Sequence, residues 1–262
     1  MQANIFHTAN SGLYFWDGET GILVDGLYRG GAYGFSDLPQ KLEQKIISGE
    51  GNLPPISGLI FTHCHPDHFG PDLLAAVKSR YNATIYAPGY LANSGSARFI
   101  RPGVFRLRIG QAYILGCATT HDGAAFADTP HYSYLLRMAG ESFFIAGDAK
   151  LQGSEADFYR GYHGEPIEGA FINVYQALLP NSIAFLRRLA PQHIYLYHLP
   201  APDDDCNGFI RLAQQAIRRF PQDLPSLELV RQMDWIGGSE TVWDKERGYH
   251  DLFGNQQHRS LL

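Results

Sequence analysis

The sequence predicts an α+β protein in which two sheets pack face to face and are covered by helices. Three observations predict it. Short apolar runs bounded by glycine, proline and aspartate recur along all 262 residues and read as strands. Amphipathic segments at helical spacing fall between some of those runs, in both halves of the chain. The residues best suited to chemistry stand where apolar runs stop, at the rim of a core that can hold them rigidly.

Taken in order, Gly12 to Trp16, the Asp17-Gly18 turn and Gly21 to Asp25 read as a hairpin, with Asp25 ending its second strand. A glycine-rich loop with Gly30, Gly31 and Gly34 follows, and residues 37 to 48 alternate apolar and charged positions at helical spacing. Gly58 to Thr62 is the next strand. Pro71 opens a helix reaching Tyr81, with Leu73, Leu74, Ala76 and Val77 on one stripe. Strands follow at Thr84 to Ala87, Val104 to Ile109 and Tyr113 to Ala118, and a second hairpin joins Tyr132 to Met138 with Ser142 to Ala146 about Ala139-Gly140. Residues 152 to 168 are rich in glycine and charge and read as a surface loop. Ala170 to Tyr175 and His193 to Tyr197 are strand-like, and Asn181 to Leu189 is helical. The last helix, about 206 to 219, has Asp203, Asp204 and Asp205 at its start and Arg218 and Arg219 near its end, which suits the macrodipole. No internal repeat is evident.

The composition is that of a globular protein, with 45% hydrophobic and 18% charged residues, and it excludes disordered and fibrous classes. The length fits a single domain over 1–262. A net charge of −5, from 21 basic and 26 acidic residues, with no Lys/Arg run, disfavours a long nucleic acid as partner. No stretch of about 18 apolar residues suggests a membrane span, and the segment from Met1 to Thr8 lacks the basic and apolar regions of a secretory leader, so a cytoplasmic protein is expected. Cys64, Cys117 and Cys206 form no CxxC and suggest neither a disulfide framework nor a cysteine metal site.

The segment His63-Cys64-His65-Pro66-Asp67-His68 directly follows an apolar run. Three histidines and an aspartate in six residues exceed what a polar loop requires, and imidazole with carboxylate suits zinc and other borderline divalent metals. In an extended segment His63 and His65 share a side, and the Pro66 turn lets Asp67 and His68 face elsewhere. One segment can therefore serve two neighbouring ions. His121, Asp148 and His198 each stand after a later apolar run.

The order of an early aspartate, HxHxDH, a histidine, an aspartate and a final histidine resembles the metallo-β-lactamase-fold hydrolases over residues 20 to 200. The resemblance implies a four-layer αββα sandwich with two divalent ions at one edge, zinc first, manganese or iron as alternatives. It places His63, His65 and His121 on the first ion, Asp67, His68 and His198 on the second, and Asp148 between them. Asp25 would orient ligands rather than bind metal. A pair of ions about 3.5 to 4 Å apart generates a hydroxide nucleophile near neutral pH, which Asp67 could orient. His131 and His163 are candidates to protonate a leaving group.

Departures narrow the branch. The best-known β-lactamases of this fold carry arginine at the position of His68 and cysteine at that of Asp148, and glyoxalase-type thioesterases surround the third histidine with Pro-Gly-His-Thr-Pro-Gly rather than Thr119-Thr120-His121-Asp122-Gly123. The context is similar to the phosphodiesterase, ribonuclease Z and sugar-phosphate lactonase side, so the expected substrate is a small phosphodiester, cyclic phosphate or lactone. Arg160, Tyr162 and His163 are candidates for a substrate wall, and Arg98, Arg101, Arg106 and Arg108 for a phosphate clamp set against a solvated strand face. The competing readings are a mononuclear iron oxidoreductase similar to persulfide dioxygenases and a non-catalytic metal-binding protein. Trp235 and Trp243 suit either a pocket or a subunit contact, which leaves a homo-oligomer open.

Overall fold

The computed structural model describes residues 2–49, 55–78, 80–88, 98–99, 103–163 and 166–236. The first sheet contains β1 (Asn4–Ala9), β2 (Gly12–Trp16), β3 (Gly21–Val24), β4 (Gly58–Ile60), β5 (Thr84–Ala87) and β6 (Arg98–Phe99) in that spatial order. The second contains β7 (Val104–Ile109), β8 (Ala112–Thr119), β9 (His131–Met138), β10 (Glu141–Ile145), β11 (Gly169–Ile172), β12 (His193–Leu196) and β13 (Leu227–Leu229), also side by side in chain order. The last described strand, β14 (Asp234–Ile236), returns to the first sheet and pairs with β1 through Ile5↔Ile236 and Phe6↔Trp235. Both sheets are mixed, and they match: three antiparallel pairings are followed by three parallel ones in each.

Strand side chains alternate between two buried faces, which is why the sequence shows nearly unbroken apolar runs. Leu13, Phe15, Ile22, Val24 and Ile60 of the first sheet meet Tyr134, Leu136, Phe143, Ile145 and Phe171 of the second in one shared core. Phe15 is tied there to Phe143 and Phe171, at ring centroid distances of 5.5 and 5.9 Å. On the far side of the first sheet, Phe6, Tyr14, Trp16, Leu23 and Leu59 pack under α1 (Gln40–Ser48) and α2 (Pro71–Lys78) through Leu42, Ile46, Leu73, Leu74 and Val77. On the far side of the second, Leu135, Phe144, Ala170 and Ile194 pack under α3 (Ala156–His163), α4 (Pro180–Leu189) and α5 (Phe209–Arg219). The result is the four-layer αββα sandwich. Among the described residues no helix is long and apolar enough to cross a membrane.

Three features differ from the sequence expectation. The stretch read as a surface loop from 152 holds a 3-10 turn at Gly153–Glu155 and then α3, whose Ala156 and Tyr159 are buried while Asp157 and Arg160 face out. Glycine and charge masked an i, i+3 stripe. The first strand carries His7 and Thr8 at fully buried positions, so its polar content hid it. The terminal helix starts at Phe209: Asp203 and Asp204 lie in a separate 3-10 turn, and only Asp205 caps, accepting from the Phe209 and Ile210 N–H groups at 2.7 and 3.0 Å. Trp235 packs its ring 5.2 Å from Phe6, and Trp243 lies outside the described residues.

The sandwich has one functional edge. Parallel strands β3, β4, β10, β11 and β12 all end there, and the β1–β2 turn and the start of β9 reach it from their own sheets. Backbone bonds close the two sheets together at this edge: Tyr132 N–H donates to Thr62 O at 2.9 Å, and His198 N–H to Asn10 O at 2.9 Å.

Candidate metal centre

The segment after β4 folds because its backbone bonds to itself and to Asp25. Thr62 donates its N–H to Asp25 Oδ1 at 2.7 Å and its hydroxyl to Oδ2 at 2.6 Å. Beyond Pro66 the chain doubles back, with the His68 and Phe69 N–H groups donating to His65 O at 2.9 and 2.8 Å. This turn separates His63 and His65 from Asp67 and His68.

Two sets of side chains converge on the edge. His63, His65 and His121 form one, and Asp67, His68, Asp148 and His198 the other, with ligand atoms inside a set no more than 4.8 Å apart. Asp148 joins them: its Oδ2 lies 3.8 Å from His63 Nε2, 3.7 Å from His121 Nε2 and 3.4 Å from His68 Nε2. Its Oδ1 lies 3.5 Å from His198 Nε2. The first sheet supplies His63, His65, Asp67 and His68, and the second His121, Asp148 and His198.

The tautomers implied by the hydrogen bonds leave lone pairs pointing inward. His121 Nδ1 donates to Asp122 O at 2.5 Å, and its Nε2 is buried with no hydrogen-bond partner. His198 Nδ1 is 2.8 Å from Asn10 Oδ1, whose amide nitrogen is committed as donor to Asp67 O at 2.8 Å, so Oδ1 accepts. His68 Nδ1 is 2.9 Å from Asp25 Oδ2. Three imidazoles anchored from outside through Nδ1, with their Nε2 atoms turned toward the cluster, form with its carboxylates a donor set that fits a borderline divalent cation.

Electrostatics agree with the geometry. Burial alone would raise the Asp148 carboxyl, but His198 and His68 hold it well below the usual carboxylate range. Burial works against charge on His68, yet Asp148, Asp67 and Asp25 outweigh it and push its imidazole well above the ordinary value. The position where these three carboxylates converge therefore favours positive charge. His63 and His65 go the other way: burial, with His68 and His131 beside His63 and His121 beside His65, lowers both, which favours the neutral form that ligates metal.

Several supporting residues carry no sequence signal of their own. Asn10 holds His198 and the Asp67 carbonyl, and Ser11 Oγ donates to the same carbonyl at 2.7 Å. Asn173 Nδ2 donates to Asp148 Oδ1 at 2.8 Å, and Gln176 Nε2 donates to Gly147 O and Ala149 O at 3.1 and 2.8 Å, fixing the loop that carries Asp148. An asparagine at a turn or strand end is ordinary, which is why neither stood out. Asn10, Asp25 and His198 also adopt left-handed backbone, with φ of 45°, 47° and 59°, a local strain of about 1 to 3 kcal/mol each that the surrounding bonds must hold.

His131 has a different place from a leaving-group proton donor. The Asp148 N–H donates to its Nε2 at 2.9 Å, so that nitrogen carries no proton, and its Nδ1 donates to Thr119 Oγ1 at 2.7 Å. Burial lowers its pKa to about 3. It positions the Asp148 backbone.

Of the substrate-wall candidates, Arg160 lies with Pro166, Ile167, Leu189 and Ala190 around a 580 Å³ cavity near the start of β11, whereas the candidate ligands stand beyond strand ends. Tyr162 packs against the helix-side core beneath the Arg106 guanidinium, 4.9 Å from its ring centre. The His163 side chain lies outside the described residues. Arg106 and Arg108 occupy the exposed outer face of β7, Arg108 over Tyr113 at 5.2 Å, as a solvated strand face would. Arg101 and the Arg98 side chain lie outside the described residues. Cys64 packs its thiol toward the α1–α2 side, where burial pushes it up to about 12.

Solved structures share this architecture at low identity. The diiron beta-hydroxylase CmlA from Streptomyces venezuelae aligns at 14% identity and a TM-score of 0.63 over 90% of this chain and 54% of its own, so this chain spans about half of CmlA. A diphosphatase of the PhnP family aligns at 15% identity and 0.53, over 87% and 83% of the two chains. An isothiocyanate hydrolase from Delia radicum gut bacteria aligns at 13% and 0.60, over 90% and 99%. A search of curated proteins gave no match. Residues 5–186, most of the sandwich and all the candidate ligands except His198, match the family described as the metallo-beta-lactamase superfamily. The chain therefore belongs to that superfamily, and its histidine and aspartate cluster is one able to bind metal.

Proposed function

We propose that the protein is a dinuclear metal-dependent hydrolase of a small substrate, a phosphodiester, cyclic phosphate or lactone. The observation that carries this reading is the position of Asp148, whose Oδ2 reaches His63, His121 and His68 at 3.8, 3.7 and 3.4 Å and so belongs to both sets at once. When bound, two divalent ions supply an acidified water and polarise the oxygen of the bond under attack. Zinc is the first expectation, with manganese or iron as alternatives; the diiron neighbour supports iron among them.

The chain's own residues perform the rest. His63, His65 and His121 would hold one ion and Asp67, His68 and His198 the other, with Asp148 placed between the two sets. Asp67, 7% exposed and with Oδ2 3.4 Å from His198 Nε2, presents a carboxylate at the centre that orients the attacking water and accepts its proton. Asp25 sits outside, receiving Thr62 and His68 and fixing the ring that faces the second site.

The test is a metal count on the purified protein beside a panel of model phosphodiesters, lactones and thioesters. Two ions per chain with turnover of a phosphodiester or lactone is the expected result. One ion or none with no hydrolysis overturns it, and iron alone with sulfur-dependent oxygen uptake replaces it with an oxidoreductase.

A further inference from the structure

Each ligand set has a phenylalanine against it that the hydrolase reading leaves unused. Phe126 ends the 3-10 turn Ala124–Phe126, five residues after His121, and its ring lies 5.0 Å from His65 and 5.3 Å from His121. It is nevertheless 49% exposed. The turn is fixed by bonds on both sides: Phe126 N–H donates to Gly123 O at 3.0 Å, and Thr129 N–H to Phe126 O at 2.9 Å. Gly123 enters it with φ of +83°. A phenyl ring is thus held half in solvent over two candidate ligands.

At the other set, Phe35 lies 4.5 Å from the His198 ring, at 35° to it, and stacks on Phe209 at 4.9 Å and 13°. Tyr175, 49% exposed, meets Phe209 edge-on at 6.1 Å and carries the aromatic surface outward. Phe35 is held by its own N–H bond to Gly30 O at 3.2 Å, and the adjoining Ser36 hydroxyl accepts the Ala201 N–H at 2.6 Å, which ties its loop to the residue that opens the 3-10 turn Pro202–Asp204. Apolar surface left in water at the mouth of a polar centre is recovered when a ligand covers it, and flat rings cover such surfaces best.

We propose that Phe126 and Phe35 select a substrate carrying a flat aromatic or heteroaromatic group beside the scissile bond. This rests on the hydrolase reading and names the part of the substrate that does not react. The ester or phosphoryl group lies at the ligand cluster while the ring is placed against phenylalanine, so the apolar group supplies affinity and the cluster supplies chemistry.

The test uses zinc-loaded full-length protein and two probes of equal charge chemistry, phenylphosphonate and methylphosphonate, measured by calorimetry. Phenylphosphonate is expected to bind about tenfold more tightly, with the preference falling to about threefold or less in Phe126→Ala and in Phe35→Ala and persisting in Phe126→Tyr. Equal affinities, binding of neither probe, or a preference untouched by both alanine variants overturns the proposal. Metal content and melting temperature of each variant identify any that misfold, and the Phe126→Tyr variant then carries the comparison: loss of the preference there despite a retained ring also overturns it. Turnover of phosphodiesters without the preference overturns this proposal alone, and the preference without turnover of any ester in the panel overturns the hydrolase reading alone.

Discussion

The Nε2 atoms of His68 and His198 face each other at 2.8 Å while the Nδ1 atoms of both rings are held from behind, by Asp25 and Asn10 respectively. The two supporting residues come from the first sheet and its leading turn, but the two histidines come from different sheets. Proper aim of the pair thus depends on Asn10 as much as on the ligands.

On the dinuclear reading, replacing Asn10 with alanine should weaken the second candidate site and spare the first. The His198 Nδ1 loses its Asn10 acceptor, and the Asp67 carbonyl loses the Asn10 donor and keeps that of Ser11. Loss of an outer-shell partner typically lowers metal affinity about 10- to 100-fold. Metal analysis after dialysis against a weak chelator should give about one ion per chain in Asn10→Ala where the unsubstituted protein keeps two. Retention of both ions would show that His198 needs no orientation from this side.

Stability should fall in acid through His131. The unfolded ring takes a proton near 6.5, whereas the folded ring, accepting the Asp148 N–H and buried, does so only near 3. Between those values the unfolded state binds more protons, so the contribution is fully present above 6.5 and is lost as pH falls toward 3, at about 1.4 kcal/mol per pH unit. In His131→Gln, whose side-chain carbonyl can still accept, denaturant titrations at pH 7, 6 and 5 should show a shallower decline. An unchanged slope would place the acid sensitivity elsewhere.

Gly147→Ala should damage the site more than its size suggests. Gly147 has φ of +57°, and a Cβ there would lie 2.7 Å from His131 Nε2 and 2.9 Å from Thr62 Cβ. Strain and collision together should cost about 2 kcal/mol or more and displace Asp148. A lower melting temperature accompanied by loss of metal is the expected pair of readings, and a melting shift with full metal content would contradict it.

Phe171→Ala tests the shared core. The fully buried Phe171 stacks on Tyr195 at 5.0 Å and meets Phe15 of the other sheet at 5.9 Å. A loss of about 3 to 5 kcal/mol in chemical denaturation is expected. A loss below about 1 kcal/mol would mean that the sheets repack around the gap.

The sandwich was legible in the sequence where burial on both faces made strands continuous, as at Gly21 to Val24 and Ser142 to Ile145. It was obscured where polar side chains are buried for other reasons: His7 in β1 bonds to the Asn10 and Arg231 carbonyls at 2.8 and 3.0 Å and breaks the apolar pattern. Strand β14 left no local mark at all, because its partner lies more than two hundred residues away. In the candidate site, the cluster from His63 to His68 is crowded enough to stand out by itself. His121, Asp148 and His198 gained meaning only from their order, and Asn10, Asn173 and Gln176 act through geometry that no spacing encodes. The helix α3 shows the opposite error, where glycine and charge outweighed a short buried stripe.

The seam between the matched sheets has a mechanical meaning. Because the candidate ligands arrive from both sheets, a cation bound among them would act as a rivet through two plates, so that sliding one sheet over the other would strain its bonds to the ion. The strand β14, which follows β13 of the second sheet but pairs with β1 of the first, is a strap across the same joint. Its removal would bare the β1 edge to other chains, while removal of the ion would free the plates to shift, so the two losses should loosen the molecule along the same line by separate routes.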